Sequence, residues 1–398
     1  MADETDHIIR SFSSAPSGGK EIKVVPADGG IGHMYAEGEI LVREDHLERV
    51  LEILEPDADH DQVRGDPARV QRVVENVVLL TLGESQPLAL DALDAVDQQL
   101  GPGIATPNHV LTVAPQGTSC PATEPEGAYY DIEPFPSVCH DGGGNGVLVY
   151  IADTGLLRDT ATHSWLEGIG MVNPVEDLDP REPFEGDPPQ IPPYTGHGTF
   201  VAGVLRCIAP ATDIIAENVF SIAGSQLESD LVLRLDVALG LGIDIFHLTI
   251  ACSSRNDLPL IAFQEWLRKV RKTGAVCIAA AGNSGFDRRT WPAAFPGVIG
   301  VGALGGDWRG RATFSNFGSW VDVYAPGRDL INAFATGTYT CHVYPYANKV
   351  REFYGMAKWS GTSFSTPIVT GLIASRMSRS GETARQAAAA LLAEARAQ

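Results

Sequence analysis

Four polar residues, each in a glycine-rich setting, stand out along the chain. Asp153 closes the apolar run of YIADTGL, His197 lies in GHGTFVAG, Asn283 in AAAGNSG and Ser363 in WSGTSFSTP. A serine hydroxyl is a weak nucleophile near neutral pH. It becomes effective when an imidazole takes its proton and a carboxylate orients that imidazole and stabilises its cation. Asp, His and Ser supply those three parts, and an Asn side-chain amide can donate to the negative oxygen that develops when such a nucleophile adds to a carbonyl. Each residue taken alone also has an ordinary structural reading. Ser363 and Asp153 can cap helices, His197 can be a core histidine, and Asn283 can occupy a left-handed turn.

The elements around these residues must position them. Continuous apolar strands are expected at GVLVYIAD (146–153), TDIIAENVF (212–220), DIFHLTI (244–250), AVCIAAAG (275–282) and GVIGVGAL (297–304), with helices across 230–241 and 260–273. This alternation predicts an α/β fold, a three-layer arrangement in which a mostly parallel sheet carries helices on both faces. Sites in such sheets lie beyond the carboxyl ends of the strands, where Asp153 and Asn283 fall. A helix across 363–377 puts Ser363 at its positive N-terminal end. Pro367 is expected in the first turn of that helix, where it removes no required bond.

Upstream the pattern differs. Residues 1–35 are polar and rich in Ser and Gly, and are expected to be flexible. Residues 36–115 read as strand (37–44), helix (46–54), strand or hairpin (70–82), helix (87–100) and strand (109–114), a small α+β unit. The stretch 116–145 is dense in Pro, Gly and Ser and marks a linker before the α/β domain at 146–398. DGGGNG (141–146) looks like a phosphate loop but precedes its strand instead of following one, so the dinucleotide context is absent.

Twenty-nine basic against 50 acidic residues give a net charge of −21. That balance argues against nucleic acid or an anionic membrane as partner. No apolar stretch approaches the roughly 18 residues of a membrane span, so a soluble protein is expected. The N-terminal segment has acids where a secretory leader carries basic residues, and the expected location is the cytoplasm. Cys207, Cys252 and Cys277 have apolar neighbours and are read as reduced, buried thiols, while Cys120 and Cys139 flank a loop and are the pair to examine for a bridge.

Taken together, ADTGL, GHGTFVAG, AAGNSG and SGTSFSTP, with the supporting segments IAPATDI, DIFHLTIA, WPAAFPGVIGVGAL, ATFSNFG and APG, resemble the subtilisin-like serine proteases over about 145–390. The resemblance implies that Ser363 is the nucleophile, His197 the general base and then acid, Asp153 the orienting carboxylate, and Asn283 an oxyanion donor beside the Ser363 N–H. It further assigns substrate contacts to Thr249, Ile250, Ala251, Ala281 and Gly282, with a polypeptide as substrate and no required cofactor. The 36–115 unit resembles the ferredoxin-like propeptides of these enzymes, which implies a self-inhibited precursor in which the N-terminal domain acts as intramolecular chaperone and inhibitor.

The chain also departs from the family. Thr249-Ile250-Ala251 replaces the usual Ser-Leu-Gly, Phe200 stands where a second His is common, and DTGLLRDTATHSWL lacks an Asp that usually follows its His. The acidic loop EDLDPREPFEGD (176–187) is read as a solvated surface loop, with calcium binding or attraction of basic substrate residues through Asp177, Asp179 and Glu182 as alternatives. The aromatic segment 338–355 either shapes the cleft or packs on the surface. Ser365 replaces the second glycine of a GxSxG elbow, which disfavours an α/β-hydrolase. Two other functions stay open at this point: a binding protein that has kept the fold without the chemistry, and a peptide ligase or macrocyclase using the same acyl-enzyme.

Overall fold

The computed structural model describes residues 2–14, 19–27, 30–83, 87–113, 122–128, 132–158, 160–180, 184–220, 224–342 and 345–397. The N-terminal part contains α1 (Ala2–Ser13), β1 (Ile22–Ala27), β2 (Gly30–Arg43), α2 (Leu47–Leu54), α3 (His60–Gly65), β3 (Val70–Val74), β4 (Val77–Thr81), α4 (Ala89–Leu100) and β5 (Ala105–Thr112). A short β6 (Glu126–Gly127) follows. Then come β7 (Leu148–Asp153), β8 (Gly170–Met171), α5 (His197–Ile208), β9 (Asp213–Asn218), β10 (Ser225–Leu227), α6 (Glu228–Ala238), β11 (Ile245–Leu248), α7 (Ile261–Thr273) and β12 (Val276–Ala280). The chain ends with β13 (Val298–Leu304), β14 (Val323–Pro326), β15 (Leu330–Thr340), β16 (Val350–Trp359), α8 (Thr362–Ser380) and α9 (Ala384–Arg396).

The larger part is α/β. Among the described residues its sheet has seven strands in the order β14-β13-β12-β11-β7-β9-β8, and every pairing is parallel. Strand β7 explains the arrangement in miniature. Val149 and Ile151 point into one core with α5 and α8, and Tyr150 and Ala152 point into the other with α6 and α7. A strand buried on both faces has no solvent side to make polar, which is why the run reads as continuously apolar. From β7 the chain passes to β9 on one side and to β11 on the other. The strand order therefore reverses beside the carboxyl end of β7, where Asp153 stands.

The N-terminal sheet is antiparallel, in the order β10-β5-β2-β4-β3 with β1 on β2. Helices α2 and α4 each bury residues at spacings of three and four, Leu47, Val50, Leu51 and Leu54 on α2 and Ala89, Ala92, Leu93 and Val96 on α4. They cover the face that carries Ile40, Val42, Val78 and Leu80. The alternate residues Leu41, Val77 and Leu79 face the other way and join the core of α6 and α7. One sheet thus has helices of its own on one side and the helices of the α/β part on the other. Arg255 reinforces the junction through Asp97 at 2.7 Å and Asp94 at 2.5 Å.

Two expectations are revised here. Within 1–35, α1 is helical, and its Ile8 and Phe12 are buried with Ile22, Met34, Val110 and Leu227, so this polar-looking stretch is fastened to the sheet by a few well-spaced apolar residues. Pro367 is the sixth residue of α8 rather than one of its first turn. Its missing N–H therefore leaves the Ser363 carbonyl without the helical bond it would otherwise accept. Among the described residues no helix is long and apolar enough to cross a membrane.

Leu41→Ala removes a fully buried side chain at the junction of the two parts. It should lower stability by about 2–5 kcal/mol, read as a lower urea midpoint.

Candidate active site

Asp153, at the end of β7, and His197, the first residue of α5, meet through a 2.7 Å bond between Asp153 Oδ1 and His197 Nδ1. Asp153 has a full set of donors. Its Oδ1 also accepts the Thr154 N–H at 2.7 Å, and its Oδ2 accepts the Thr249 hydroxyl. Burial opposes the charge on this carboxylate, but the charge of His197 and these hydrogen bonds outweigh burial and hold it below the usual carboxylate range. A carboxylate at Nδ1 fixes the tautomer with the proton on that nitrogen. Nε2 is then free to accept, and it is buried with no hydrogen-bond partner. The ring sits among aromatic side chains, with Trp359 at 5.7 Å and Phe364 at 5.4 Å between centroids.

Glycines on either side let the histidine segment come this close. Gly196 has φ +83°, and a Cβ there would meet Phe334 at 2.9 Å. A Cβ on Gly198 would meet the Gly155 carbonyl at 2.4 Å. The first N–H groups of a helix have no partner within it. Around α5 they are met from outside: Thr154 Oγ1 accepts the Gly198 N–H at 3.0 Å, and Asp179 Oδ2 accepts the preceding Gly196 N–H at 2.7 Å. Thr154 Oγ1 in turn donates to Asp179 Oδ2 at 2.5 Å.

Ser363 is the second residue of α8 and is 1% exposed, while His197 is fully buried. No hydrogen bond joins Ser363 Oγ to His197 Nε2 in this structure. Such bonds commonly tighten only when substrate is present. Asn283 Oδ1 accepts the Thr362 N–H at 2.8 Å and the Thr362 hydroxyl at 2.9 Å. That binding fixes the orientation of the amide, with its carbonyl on the residue before Ser363 and its N–H₂ group turned away from Thr362.

The remaining candidates fall into two groups. Ala251 pairs through its backbone with Thr112 of the N-terminal part, N–H to carbonyl at 3.1 and 3.0 Å, as an edge pairs with an added strand. Thr249, by contrast, uses its side chain on Asp153, and Ile250 is buried in the core. Ala281 and Gly282 are not open edges either. Ala281 bonds through N–H and carbonyl to the Val301 carbonyl and the Asn316 amide, and Gly282 does the same with Thr362 and Asn316. These backbone groups hold the Asn283 turn in place.

Asn316 escaped individual notice, although it lies in the ATFSNFG segment. Its amide donates to the Ala281 carbonyl at 2.9 Å, and its oxygen accepts the Ser284 N–H at 3.0 Å and the Phe286 N–H at 3.3 Å, bracketing Asn283. Asp179 was marked only as a member of the acidic run 176–187, which reads as solvated loop, and not as a support of the site. In fact Asp177 and Asp179 are buried, and Asp177 accepts the Asn173 N–H at 2.7 Å and the Asn218 N–H at 3.0 Å. Asp177 and Asp179 thus spend oxygens on backbone donors, and among the described residues no three His, Cys, Asp or Glu side chains group to hold a metal. Glu182 lies outside the described residues. Cys207, Cys252 and Cys277 are free and buried, as expected, and Cys139 is free; Cys120 lies outside the described residues.

Burial raises the Asp179 carboxyl to about 7, against the pull of its bonds to Thr154 and Gly196. The folded chain keeps this proton over the range in which the unfolded chain has lost it. This group therefore favours the folded state most below pH of about 4, and that contribution is lost as pH rises to about 7. Asp179→Asn should remove the decline. Urea unfolding should show the variant gaining stability relative to the parent between pH 4.5 and 8; a constant difference would contradict the assignment.

Comparison with known proteins adds to this geometry. The profile of the subtilase family (peptidase S8) matches residues 144–397. Similar curated proteins include an intracellular serine protease of Paenibacillus polymyxa, 31% identical over 255 residues, covering 60% of this chain and 69% of that protein. A thermophilic serine proteinase of Bacillus sp. (strain AK1) is 30% identical over 245 residues, covering 58% and 52% respectively. The chain thus spans about half the length of some of the relatives it matches. Among solved structures, a cold-adapted subtilisin-like serine proteinase aligns at 24% identity with a TM-score of 0.48, covering 64% of this chain and 83% of that one.

Proposed function

From the chain's membership of the subtilase family, we propose that it is a serine endopeptidase made in a self-inhibited form. Ser363 Oγ attacks the peptide carbonyl as its proton passes to His197 Nε2. The resulting oxyanion is met by the Asn283 amide and the Ser363 N–H at the start of α8. His197 then gives the proton to the departing amine, leaving an acyl group on Ser363, and water, activated by the same nitrogen, releases the acid. Asp153 stays ionised throughout and stabilises the imidazolium. The single observation that carries this reading is the buried Asp153–His197 bond, with Nε2 left unpartnered among aromatic rings and Ser363 at the neighbouring helix start.

What supports self-inhibition is the position of β5. Val110, Leu111 and Thr112 pair with Leu227, Gln226 and Ser225 on one side, and Thr112 bonds to Ala251 on the other. An N-terminal strand inserted between two edges beside Asp153 occupies the place an extended substrate would take. The propeptide reading of the N-terminal unit rests on this docking and on its antiparallel sheet with two helices on one face.

The test uses purified full-length protein and an internally quenched peptide mixture. Ser363→Ala should abolish hydrolysis and fluorophosphonate labelling, and with them any self-cleavage between about 115 and 135. Asn283→Ala should retain the fold and lose about 10² to 10³ in kcat, roughly 3–4 kcal/mol. Equal hydrolysis by Ser363→Ala and parent would refute the proposal.

A further inference from the structure

The segment after the N-terminal unit returns to the site from the opposite side. Ala122 donates its N–H to the Ser360 carbonyl at 3.1 Å, three residues before Ser363, and Trp359 Nε1 donates to the Thr123 carbonyl at 2.6 Å. From there the chain runs antiparallel to β16, with Glu126 opposite Lys358 and Gly127 opposite Ala357. The docking edges at Ala251 and Ser360 thus flank the site. The first holds residues that precede residue 114 and the second holds residues that follow residue 121. In a polypeptide bound the same way, whatever lies on β16 belongs to the fragment that leaves after acylation.

The surface that receives this segment is selective in its chemistry. Glu124 is buried, and its Oε1 accepts the His342 N–H at 2.5 Å and the Tyr339 hydroxyl at 3.3 Å. Arg351 lies across the same segment, donating to the carbonyls of Glu124 at 3.3 Å and Pro125 at 2.6 Å. Lys358 pairs with Glu126 at 2.8 Å, and the bond to Lys358 holds that carboxyl below its usual range. Two cations of β16, Arg351 and Lys358, therefore contact this segment in a chain with net charge −21. Burial of a carboxylate is costly unless donors meet it. A hairpin that only needed covering would be served by apolar residues, whereas this one supplies donors placed for two acids with one residue between them.

We propose that the β15–β16 hairpin is a leaving-group-side subsite for polypeptides carrying two acidic residues separated by one, a site that the chain's own Glu124-Pro125-Glu126 fills in the uncut protein. This rests on the protease reading above and adds a substrate class to it. The buried carboxylate at the Glu124 position contributes most of the selectivity, because the Lys358 pair is about half-exposed and screened by water.

Two measurements test it in the full-length chain with Glu124→Gln and Glu126→Gln, which weaken the hold of the resident segment without changing its shape. In the first, made with Ser363→Ala added, fluorescein-labelled Ala-Thr-Glu-Pro-Glu-Gly-Ala is compared by anisotropy with its Gln-Pro-Gln counterpart. The acidic peptide should bind at least about tenfold more tightly, and adding Tyr339→Phe should narrow the difference, with Lys358→Ala narrowing it further, because these side chains donate to the two carboxylates. In the second, with Ser363 intact, internally quenched peptides carry Glu-Pro-Glu or Gln-Pro-Gln at successive positions after the cleaved bond, and cleavage should favour the acidic pair in one register. Equal binding of the two labelled peptides to protein of unchanged circular dichroism overturns the subsite. Selective binding without selective cleavage overturns its place on the leaving-group side, and selective binding without any cleavage overturns the protease reading while leaving an acidic-peptide site.

Discussion

The hydrogen bond between Asp153 and His197 is the constraint around which the rest of the molecule is arranged. Both residues are buried, and an ionised carboxylate in such a place persists only when donors surround it. Three meet Asp153: the imidazole Nδ1–H, the Thr249 hydroxyl and the Thr154 N–H. Each comes from a different part of the sheet end. Asp153 and Thr154 belong to the end of β7, Thr249 to the turn after β11, and His197 to the start of α5. The reversal of strand order between β11 and β7 is what lets these segments converge, so the topology and the electrostatics of the site are one fact seen at two scales.

A second ring of polar groups keeps the converging segments in register. Asp179 and Thr154 tie the start of α5 to the end of β7, Asn316 braces the Asn283 turn, and Thr362 ties that turn to the start of α8. These side chains touch no reacting atom in the proposed chemistry. Their work is positional: a serine, an imidazole and an amide on separate elements act together only if the backbone beneath each is held to within a fraction of an ångström. The aromatic packing of Trp359 and Phe364 against His197 adds a low-polarity wall, in which the bond to Asp153 is stronger than it would be in water.

Much of this was legible in the sequence, for reasons that differ from residue to residue. Asp153, His197, Asn283 and Ser363 were visible because glycine-flanked turns at strand and helix ends are rare and ordered motifs, and the sheet was visible because doubly buried strands leave long apolar runs. The burial of Asp179 was not legible because a buried carboxylate and a solvated one look alike in a run of acids; only the fold turns it toward the backbone at the start of α5. The bracing of Ala281 and Gly282 was not legible, because Asn316, which donates to both their carbonyls, lies more than 30 residues away in the chain. Helix α1 was hidden because a few apolar residues, chiefly Ile8 and Phe12, fasten it, too few to mark a polar segment as packed. The hairpin of β15 and β16 was readable as aromatic but not as basic and receptive, since its role depends on which segment lies against it.

The N-terminal unit and the segment after it give the site its present state. β5 pairs with the Ala251 edge and Glu124 lies against the hairpin, so segments of the chain itself stand on both sides of the Asp153–His197 pair. The assembled state depends first on the Asp153 carboxylate, and Asp153→Asn tests that dependence directly. An amide whose oxygen takes the Oδ2 place can still accept from the Thr249 hydroxyl, but its N–H₂ group then faces Nδ1 of His197, which becomes the acceptor, and the ring proton moves to Nε2. The decisive measurement is kcat for hydrolysis of an internally quenched peptide by full-length Asp153→Asn protein of unchanged circular dichroism. The expected result is a loss of about 10⁴ relative to the parent chain; a rate within a few-fold of the parent would contradict the central place given to this bond.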